Sequence, residues 1–338
     1  MNKTNAVVVT SIASPNRILQ DIAKGCKEKG CQFIVIGDQA SPADFHLDGC
    51  DFYSLNRQYD TGFEFAKQCP TKHYARKNIG YLLAIANGAT VIIETDDDNI
   101  PYEKFWQNRQ LAHSVKTLTN SSWVNIYRYF TDVNIWPRGL DLKQILTPVP
   151  DYNSLETREI ECPIQQGLAD ENPDVDAIYR LSLPLPQSFR KDRDIALSRG
   201  CVCPFNSQNT TWFAQAFILM YLPSYCSFRM TDIWRSFIAQ KIAYLNDWGI
   251  LFHEPTVFQE RNEHDLMYDF KDELPGYLNN SRICRGLDGL ELKAGTENIP
   301  DNLRICYKKL IEMGLVDIRE TALLEEWIKA VNSLMKNT

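Results

Sequence analysis

The sequence predicts an α/β fold, in which a mixed, mostly parallel sheet is flanked by helices and followed by C-terminal helices. Two observations lead to this prediction. A buried strand at residues 6–10, a helix at residues 17–30 and a second buried strand at residues 33–37 form a βαβ unit. Two amphipathic helices, at residues 303–313 and 320–334, close the chain.

The helices and strands in between are predicted from hydrophobic periodicity and from residues that end a helix or a strand. A helix is predicted at residues 75–88, where Asn87-Gly88 ends it, and a short buried strand at residues 90–93 follows. Residues 232–244 have the spacing of a helix. Residues 123–130 alternate in polarity and are predicted to form a strand.

Two segments give weaker patterns. Residues 211–222 are apolar and fit a helix as well as a strand. Residues 136–186 are interrupted by prolines and are too long for a plain connection. We expect active-site loops or a small subdomain there.

Composition excludes several classes of function. The chain has 338 residues and a formal net charge of −7, without a run of Lys and Arg, so nucleic acid is not an expected partner. The first residues lack the apolar core of a signal peptide. The longest apolar run, at residues 212–222, contains Gln215 and is too short for a transmembrane segment. We expect a cytoplasmic protein, in solution or peripheral to a membrane-associated assembly system.

An acidic triplet is the most informative feature of the chain. Val91, Ile92 and Ile93 read as the end of a buried strand, and Asp96-Asp97-Asp98 follow before Pro101, which is expected to stop the strand. Hard divalent cations such as Mg²⁺ or Mn²⁺ bind through one or two carboxylates together with phosphate oxygens. We therefore expect a metal–diphosphate site. The alternative is a solvated acidic turn that caps a helix near Pro101.

Basic residues precede the triplet. Arg76, Lys77 and Asn78 stand at the start of the predicted helix at residues 75–88. A helix N-terminus with a cation suits a phosphate or ribose contact. The alternative is an ordinary solvated first turn.

Three later features could complete a site. Asp232 has Arg235 one turn away and could act as a general base, although Asp is also a good helix N-cap. His253 follows an apolar segment and could be a distant third metal ligand, or a structural histidine. The loop at residues 201–211 carries short polar side chains that suit sugar hydroxyls, or a plain turn.

Taken together, these motifs resemble the STELLO-type glycosyltransferase-like family. The resemblance covers about residues 5–275 in six stretches, which are Lys77–Tyr81, Glu94–Asn99, Trp136–Gly139, Pro173–Arg180, Pro204–Thr210 and Arg229–Arg235. It implies a GT-A fold, a nucleoside-diphosphate sugar as donor, with UDP favoured, and Mn²⁺ or Mg²⁺ as cofactor. The implied glycosyltransferase domain is 1–275, with a nucleotide-binding half at 1–100 and an acceptor half at 101–275. A helical extension at 276–338 follows.

The motifs and the resemblance together give expected roles for individual residues. Donor contacts are expected from Thr10, Ser11, Asp38, Arg76, Lys77, Asn78, Asp96 and Asp97. The metal is expected on Asp96, Asp98 and His253, and Asp232 is the expected base of an inverting transfer to a glycan or other hydroxyl acceptor. The sugar or acceptor pocket is expected from Arg138, Asp174, Asp176, Asn206, Gln208, Asn209 and Arg235.

Two other functions stay open at this point. The chain is more distantly similar to reversibly glycosylated polypeptides, which act as UDP-arabinopyranose mutases. It shares their acidic triplet and an Arg-Gly pair at Arg138-Gly139, where the Arg can become glycosylated, but Leu140-Asp141-Leu142 departs from their pattern. The third possibility is a non-catalytic partner in polysaccharide assembly that only binds a nucleotide sugar.

Overall fold

A computed structural model describes residues 4–260 and 265–336. Residues 1–3, 261–264 and 337–338 of the predicted domain ranges lie outside the described residues. In the described part, thirteen strands occur: β1 Thr4–Thr10, β2 Gln32–Ile36, β3 Asp51–Tyr53, β4 Ala89–Thr95, β5 Asn99–Pro101, β6 Ala112–Leu118, β7 Ser122–Trp123, β8 Glu156–Glu161, β9 Ile164–Asp170, β10 Ile195–Leu197, β11 Cys201–Val202, β12 Asn209–Phe213 and β13 Ile250–Gln259.

The same residues form nine α-helices: α1 Arg17–Lys29, α2 Leu55–Tyr59, α3 Glu64–Gln68, α4 Lys77–Ala86, α5 Ala177–Ser182, α6 Thr231–Leu245, α7 Leu266–Asp288, α8 Ile299–Glu312 and α9 Glu320–Lys336. Short 3₁₀ helices connect them. Within the described residues, no helix is both long and apolar enough to cross a lipid bilayer.

Eleven of the described strands form one sheet, in the order β3-β2-β1-β4-β12-β9-β13-β10-β6-β8, with β5 paired to β13. Strands β1 to β4 are mutually parallel, β12 reverses, and β9, β13 and β8 again run in the direction of β1. The helices pack on both faces, and the C-terminal helices share the main hydrophobic core. The predicted α/β class is therefore confirmed.

The first βαβ unit follows the predicted boundaries closely. The side chain of Asn16 accepts a hydrogen bond from the Leu19 amide and starts α1, and Gly30 ends it at a φ of 66°. Successive residues of β1 face opposite sides of the sheet. Val8 is in the core that contains α4, and Val7 is in the core that contains α1. Burial on both faces is what a parallel sheet requires.

Helix α4 lies against the sheet with almost no side chain exposed. Gly80 permits this close approach, since a Cβ at that position would lie 2.5 Å from Val8 Cγ1 and 3.0 Å from Ile36 Cγ1. The approach sets Lys77, the first residue of α4, beneath the carboxyl end of β4.

One prediction of local structure is wrong. Residues 123–130 do not form a strand, since only Trp123 is in β7 and Ile126–Tyr129 form a 3₁₀ helix. Buried side chains at positions 126, 127, 129 and 130, around a less buried position 128, produced the misleading pattern. Residues 136–186 contain two sheet strands, β8 and β9, as well as loops. The ambiguous segment at 211–222 is the end of β12 followed by a 3₁₀ helix.

Helix α7 is an element that the sequence did not predict. The helix has 23 residues, and Pro275 lies within it. Its many polar residues mask the periodic spacing of its buried residues. The helix runs through residue 275, where the domain boundary was expected. Ile283 and Leu287 of α7 join the same core as β1 and α4.

Candidate active site

The acidic triplet lies at the carboxyl end of β4, next to the parallel neighbour β1. The strand ends at Thr95 and Pro101 ends the short strand β5, so Pro101 is not the residue that stops β4. The Asp98 carbonyl accepts the Glu260 amide at 3.0 Å, and the Asp98 carboxylate accepts Gln259 Nε2 at 3.0 Å. The turn is thus tied to the end of β13.

The loop after β1 holds the middle of the triplet. Ser11 Oγ donates to Asp97 Oδ2 at 2.5 Å, and Asn16 Nδ2 donates to the Asp97 carbonyl at 2.9 Å. Because Asn16 also caps α1, the position of Asp97 is coupled to the first βαβ unit. This arrangement brings the predicted residues Ser11 and Asp97 together.

Asp96 and Lys77 form the floor of the site. Lys77 Nζ lies 2.8 Å from Asp96 Oδ1 and also donates to the Thr95 carbonyl at 2.9 Å. The Lys77 side chain is fully buried, whereas 37% of the Asp96 side chain is exposed. Burial raises the pKa of Asp96, and the attraction of Lys77 only partly opposes that rise. Lys77 thus holds Asp96 in place at the floor of the site.

A cavity of about 240 Å³, named here the acidic cavity, opens above the triplet. Its walls bring together residues from β1, α5, α6, β13 and the loops between these elements. The lining side chains are Thr10, Asp96, Asp97, Asp98, Arg138, Asp174, Arg180, Asn206, Gln208, Arg229, Asp232 and Gln259. Five aspartates against three arginines give these walls a net charge of −2.

An ion cluster forms the wall opposite the triplet. Arg138 donates from Nε and Nη2 to both oxygens of Asp174, at 2.8 and 2.9 Å. The same guanidinium donates from Nη1 and Nη2 to both oxygens of Asp232, at 3.1 and 3.0 Å. One cation therefore serves two carboxylates, and the cluster keeps a net negative charge.

The predicted base Asp232 lies in this cluster at the start of α6. Burial acts to raise the pKa of Asp232, but Arg138, Arg235 and the Ser207 amide outweigh it and lower the pKa to about 2. Asp232 is therefore ionised at neutral pH and is a weak base while Arg138 holds both of its oxygens.

The loop before β12 brings two predicted sugar contacts to the acidic cavity. Asn206 Nδ2 donates to Asp174 Oδ2 at 2.8 Å, and the Gln208 amide donates to Asn206 Oδ1 at 3.0 Å. The Ser207 amide donates to Asp232 Oδ2 at 3.2 Å. The Asn206 side chain is thus fixed by the ion cluster, whereas Gln208 Nε2 donates to Asn99 Oδ1 at 3.3 Å.

Three lining residues were not predicted as site residues. Arg229 donates to Glu273 from Nε at 3.1 Å and from Nη2 at 2.9 Å, so α7 holds it in place. Arg180 and Gln259 complete the wall. Arg180 and Arg229 are inside stretches that carry the family resemblance, which was the available signal. Gln259 lacked any such signal.

A second cavity of about 550 Å³, the apolar cavity, adjoins the acidic cavity and shares Thr10 and Asp97 with it. The predicted donor residues Ser11, Asp38 and Arg76 also line it. The Asp38 carboxylate is bound to the His73 amide at 3.0 Å and the Gln39 amide at 2.7 Å.

Arg76 lines the apolar cavity, but its buried side chain is bonded within the protein. Its guanidinium donates to Gln58 Oε1 at 2.8 Å and to the Cys69 carbonyl at 2.6 Å. These bonds hold the loop that precedes α4. They occupy the guanidinium that was expected to contact a phosphate.

An aromatic group in the apolar cavity was not predicted. His73 and Tyr74 stack at 5.7 Å between ring centroids, and Phe228 meets them edge-on at 5.1 and 5.0 Å. Burial lowers the pKa of His73 to about 4, so its imidazole is neutral at pH 7. A flat, uncharged ring system could pack on this surface.

Two predicted contacts are not in either cavity. Asn78 donates to the Leu222 carbonyl at 2.8 Å and accepts the Leu222 amide at 2.9 Å, which fixes α4 to the segment after β12. Asn209 is buried in the sheet, where Nδ2 bonds to the Leu168 carbonyl at 3.1 Å and to Thr256 Oγ1 at 2.8 Å. Both amides have structural roles.

Asp176 and Arg235 also lie behind the cavity walls. Asp176 caps α5 by accepting the Tyr179 amide at 2.8 Å, and it accepts Trp136 Nε1 at 2.7 Å; burial raises its pKa to about 6. Arg235 forms a fully buried bidentate pair with Glu94 at 2.9 and 2.8 Å. They support the acidic cavity without lining it.

His253 does not reach the acidic triplet. It pairs with Gly167 in the sheet, and its Nδ1 bonds to the Glu254 carbonyl at 2.9 Å. Burial and the charge of Arg109 lower the pKa of His253 to about 3. The residue of β13 that meets Asp98 is Gln259, six positions further along the strand. The structure therefore gives His253 a structural position.

The side chains suit a cation that binds together with a phosphate. Asp96 and Asp98 line the same cavity. Across residues 4–260 and 265–336, no three His, Cys, Asp or Glu side chains converge as a complete metal site. Mg²⁺ and similar cations typically take one or two carboxylates and fill the remaining positions with phosphate oxygens and water.

The sequence is similar to one family of glycosyltransferases. The model of the family described as STELLO glycosyltransferases matches residues 229–336. The chain is 29% identical over 301 residues to the Arabidopsis thaliana protein named "Probable glycosyltransferase STELLO2", which covers 83% of this chain. The chain is thus similar to STELLO-type glycosyltransferases over most of its length. A second STELLO protein, "Probable glycosyltransferase STELLO1" of Arabidopsis thaliana, is 28% identical over the same share of the chain.

The chain spans 39% and 38% of the lengths of these two relatives. A solved structure titled "Crystal Structure of a Mycobacterial Protein" aligns with 82% of the chain and 75% of its own chain, at 12% identity and a TM-score of 0.42.

Proposed function

We propose that this chain is a metal-dependent glycosyltransferase that uses a nucleoside-diphosphate sugar, with UDP as the favoured nucleotide. The observation that carries the proposal is the position of Asp96-Asp97-Asp98 between two adjoining cavities of different chemistry. The apolar cavity suits a nucleoside, and the acidic cavity suits a sugar and its acceptor. The names of both STELLO relatives, probable glycosyltransferases, support the reaction class.

Charge supports the need for a cation. The walls of the acidic cavity carry a net charge of −2, and a nucleotide-sugar diphosphate is also an anion. Without a compensating charge the two would repel each other. A divalent cation on Asp96 and Asp98 would supply Lewis-acid stabilisation of the leaving diphosphate. Lys77 keeps Asp96 in place from below through its 2.8 Å contact.

The donor nucleoside would occupy the apolar cavity. Ser11, Asp38 and Asp97 line it with polar groups that can bind ribose hydroxyls, and Thr10 is shared by both cavities. The base would pack against the aromatic group of His73, Tyr74 and Phe228.

The transfer is a substitution at the anomeric carbon of the sugar. The bond from that carbon to the diphosphate oxygen breaks, a bond to the acceptor oxygen forms, and the acceptor proton passes to Asp232. Since Asp232 is a weak base beside Arg138, proton transfer must accompany departure of the diphosphate rather than precede it. Asp174, Asn206 and Gln208 would bind sugar or acceptor hydroxyls.

No observation favours the self-glycosylating alternative. Each guanidinium nitrogen of Arg138 already donates to Asp174, Asp232 or the Arg229 carbonyl. Attack on a sugar would require a deprotonated guanidine nitrogen, whereas the effect of burial is outweighed by Asp174 and Asp232, which raise the pKa of Arg138 and keep it protonated. Intact-mass measurement after incubation with UDP-sugars is expected to show no added hexose or pentose.

A thermal-shift screen tests the proposal. Nucleotides and nucleotide sugars are added with and without Mn²⁺, since a ligand that binds the native state raises the melting temperature. UDP or a UDP-sugar should raise it only with Mn²⁺, and the matching UDP-sugar should then release UDP slowly in water. If no nucleotide raises the melting temperature in the presence of Mn²⁺, the proposal is wrong.

A further inference from the structure

A third cavity, named here the ribbon cavity, lies on the far half of α6. Its volume is about 350 Å³, and none of its residues lines the acidic or the apolar cavity. Its walls are the two-stranded β7–β11 ribbon, the second half of α6 and the end of α7. The lining residues are Ser122, Arg199, Gly200, Cys201, Val202, Phe237, Gln240, Lys241, Tyr244, Leu245, Cys284, Leu287 and Asp288.

The interior of the ribbon cavity is mostly apolar, with contributions from Val202, Phe237 and Leu287. Tyr244 also lines it and is 8% exposed. Within the described residues, the Tyr244 hydroxyl is buried and has no hydrogen-bond partner. A buried hydroxyl in this state costs free energy that a bound acceptor group would recover.

Cations mark the mouth of the ribbon cavity. The Arg199 side chain is 70% exposed, and its ion pair with Asp247 is long, at 3.9 Å. Lys241 lies 2.8 Å from Asp288, so that charge is already compensated. Arg199 is therefore available to an anionic group that lies at the entrance.

We propose that the ribbon cavity is a second ligand site, for a compact molecule that joins an apolar body to one anionic group. Its volume is within the range of small-molecule pockets, roughly 300–1,000 Å³. The apolar body would fill the space between Val202, Phe237 and Leu287. The anionic group would contact Arg199.

The site is connected to the acidic cavity by all three of its walls. Helix α6 begins at Thr231, next to Asp232. Gln240 Oε1 accepts the Cys203 amide at 3.1 Å, and that loop continues to Asn206. Helix α7 carries Glu273, which holds Arg229. A ligand in the ribbon cavity thus contacts the elements that position the acidic cavity, which is the arrangement a regulatory site requires.

Fluorescence titration with 8-anilinonaphthalene-1-sulfonate tests this site without any assay of sugar transfer. The probe has an aromatic body and one sulfonate. We expect one saturable site in the wild-type protein. Arg199→Glu should weaken binding about tenfold or more, because it removes a charge-assisted contact. Val202→Trp should abolish binding by filling the cavity.

Two control variants make the result decisive. Lys308→Glu makes the same charge change at a side chain that is 77% exposed on α8, and it should bind as the wild type does. Leu278→Ser removes an apolar side chain that is 72% exposed on α7, and it should also bind normally. Equal affinity of Arg199→Glu and Lys308→Glu would overturn the proposal, as would loss of binding in Leu278→Ser or the lack of a saturable site.

Discussion

Arg138 and Asp232 form a buried bidentate ion pair, with nitrogen–oxygen distances of 3.1 and 3.0 Å. Asp174 binds the same guanidinium, so Arg138 stays paired if either carboxylate is removed. The pair fixes the direction of the Asp232 carboxylate and keeps it ionised. It also limits how strongly Asp232 can attract a proton.

Asp232→Asn should reduce turnover by about 10²–10⁴-fold, because the variant has no carboxylate to accept the acceptor proton. The measurement is UDP release from the matching UDP-sugar, with water as acceptor, at saturating donor and Mn²⁺. Donor affinity should change little, since Arg138 keeps Asp174. The control is Asp192→Asn, whose side chain is 62% exposed. A wild-type rate in Asp232→Asn would show that Asp232 is not the base.

Stability should fall as the pH decreases from about 6.5 toward 3, in part because of His253. Its pKa is about 3 in the folded protein and about 6.5 when unfolded, so the unfolded state binds the extra proton in this window. A histidine whose pKa is lowered in this way changes the free energy of unfolding by up to about 1.4 kcal/mol per pH unit within the window. Urea unfolding at several pH values should show a smaller slope in His253→Gln. The exposed variant His46→Gln should match the wild type; an unchanged slope in His253→Gln contradicts the assignment.

Phe228→Ala should weaken UDP binding by about ten- to a hundredfold, because loss of base–aromatic packing typically costs about 1–3 kcal/mol. Phe228 is 44% exposed, so its removal should leave folding intact. Isothermal titration of UDP with Mn²⁺ measures the effect. Tyr268→Ala, at a ring 60% exposed on α7, should bind UDP normally. Equal affinities of Phe228→Ala and Tyr268→Ala for UDP would show that the base does not bind in the apolar cavity.

Gly80→Ala should destabilise the fold by about 1–3 kcal/mol, since the new Cβ overpacks the contact with Val8 at 2.5 Å. The free energy of unfolding in urea gives the value. Gly289→Ala is the matched control, because a Cβ there meets its nearest atom at 3.8 Å. If Gly80→Ala costs no more than Gly289→Ala, helix α4 can shift away from the sheet.

Local patterns account for what the sequence predicted well. The apolar run of β4 followed by Asp96-Asp97-Asp98 predicts an acidic turn at the edge of a sheet, and the turn lines a cavity. Asn16 and Gly30 predict both ends of α1, since each satisfies backbone groups within its own helix. Apolar spacing predicts that α6 starts near Asp232, which is its second residue and not its N-cap.

Long-range register explains what the sequence did not predict. Which residue of β13 meets Asp98 depends on its pairing with β5 and β9, and the pairing selects Gln259 rather than His253. Gln165 and Gln166 hid β9, because polar side chains in a central strand break the expected pattern. His73 and Phe228 meet across nearly half of the chain, so no local signal could reveal their contact.

Isothermal titration of UDP into wild-type protein and Asp98→Asn, each with Mn²⁺ and with EDTA, tests the central claim most directly. The account predicts saturable binding to the wild type that depends on Mn²⁺, and a loss of that dependence in Asp98→Asn with an unchanged melting temperature of the unliganded protein. Asp44→Asn, at an exposed residue, should behave as the wild type does. Tight, Mn²⁺-dependent binding of UDP to Asp98→Asn would contradict a donor site built on the acidic triplet.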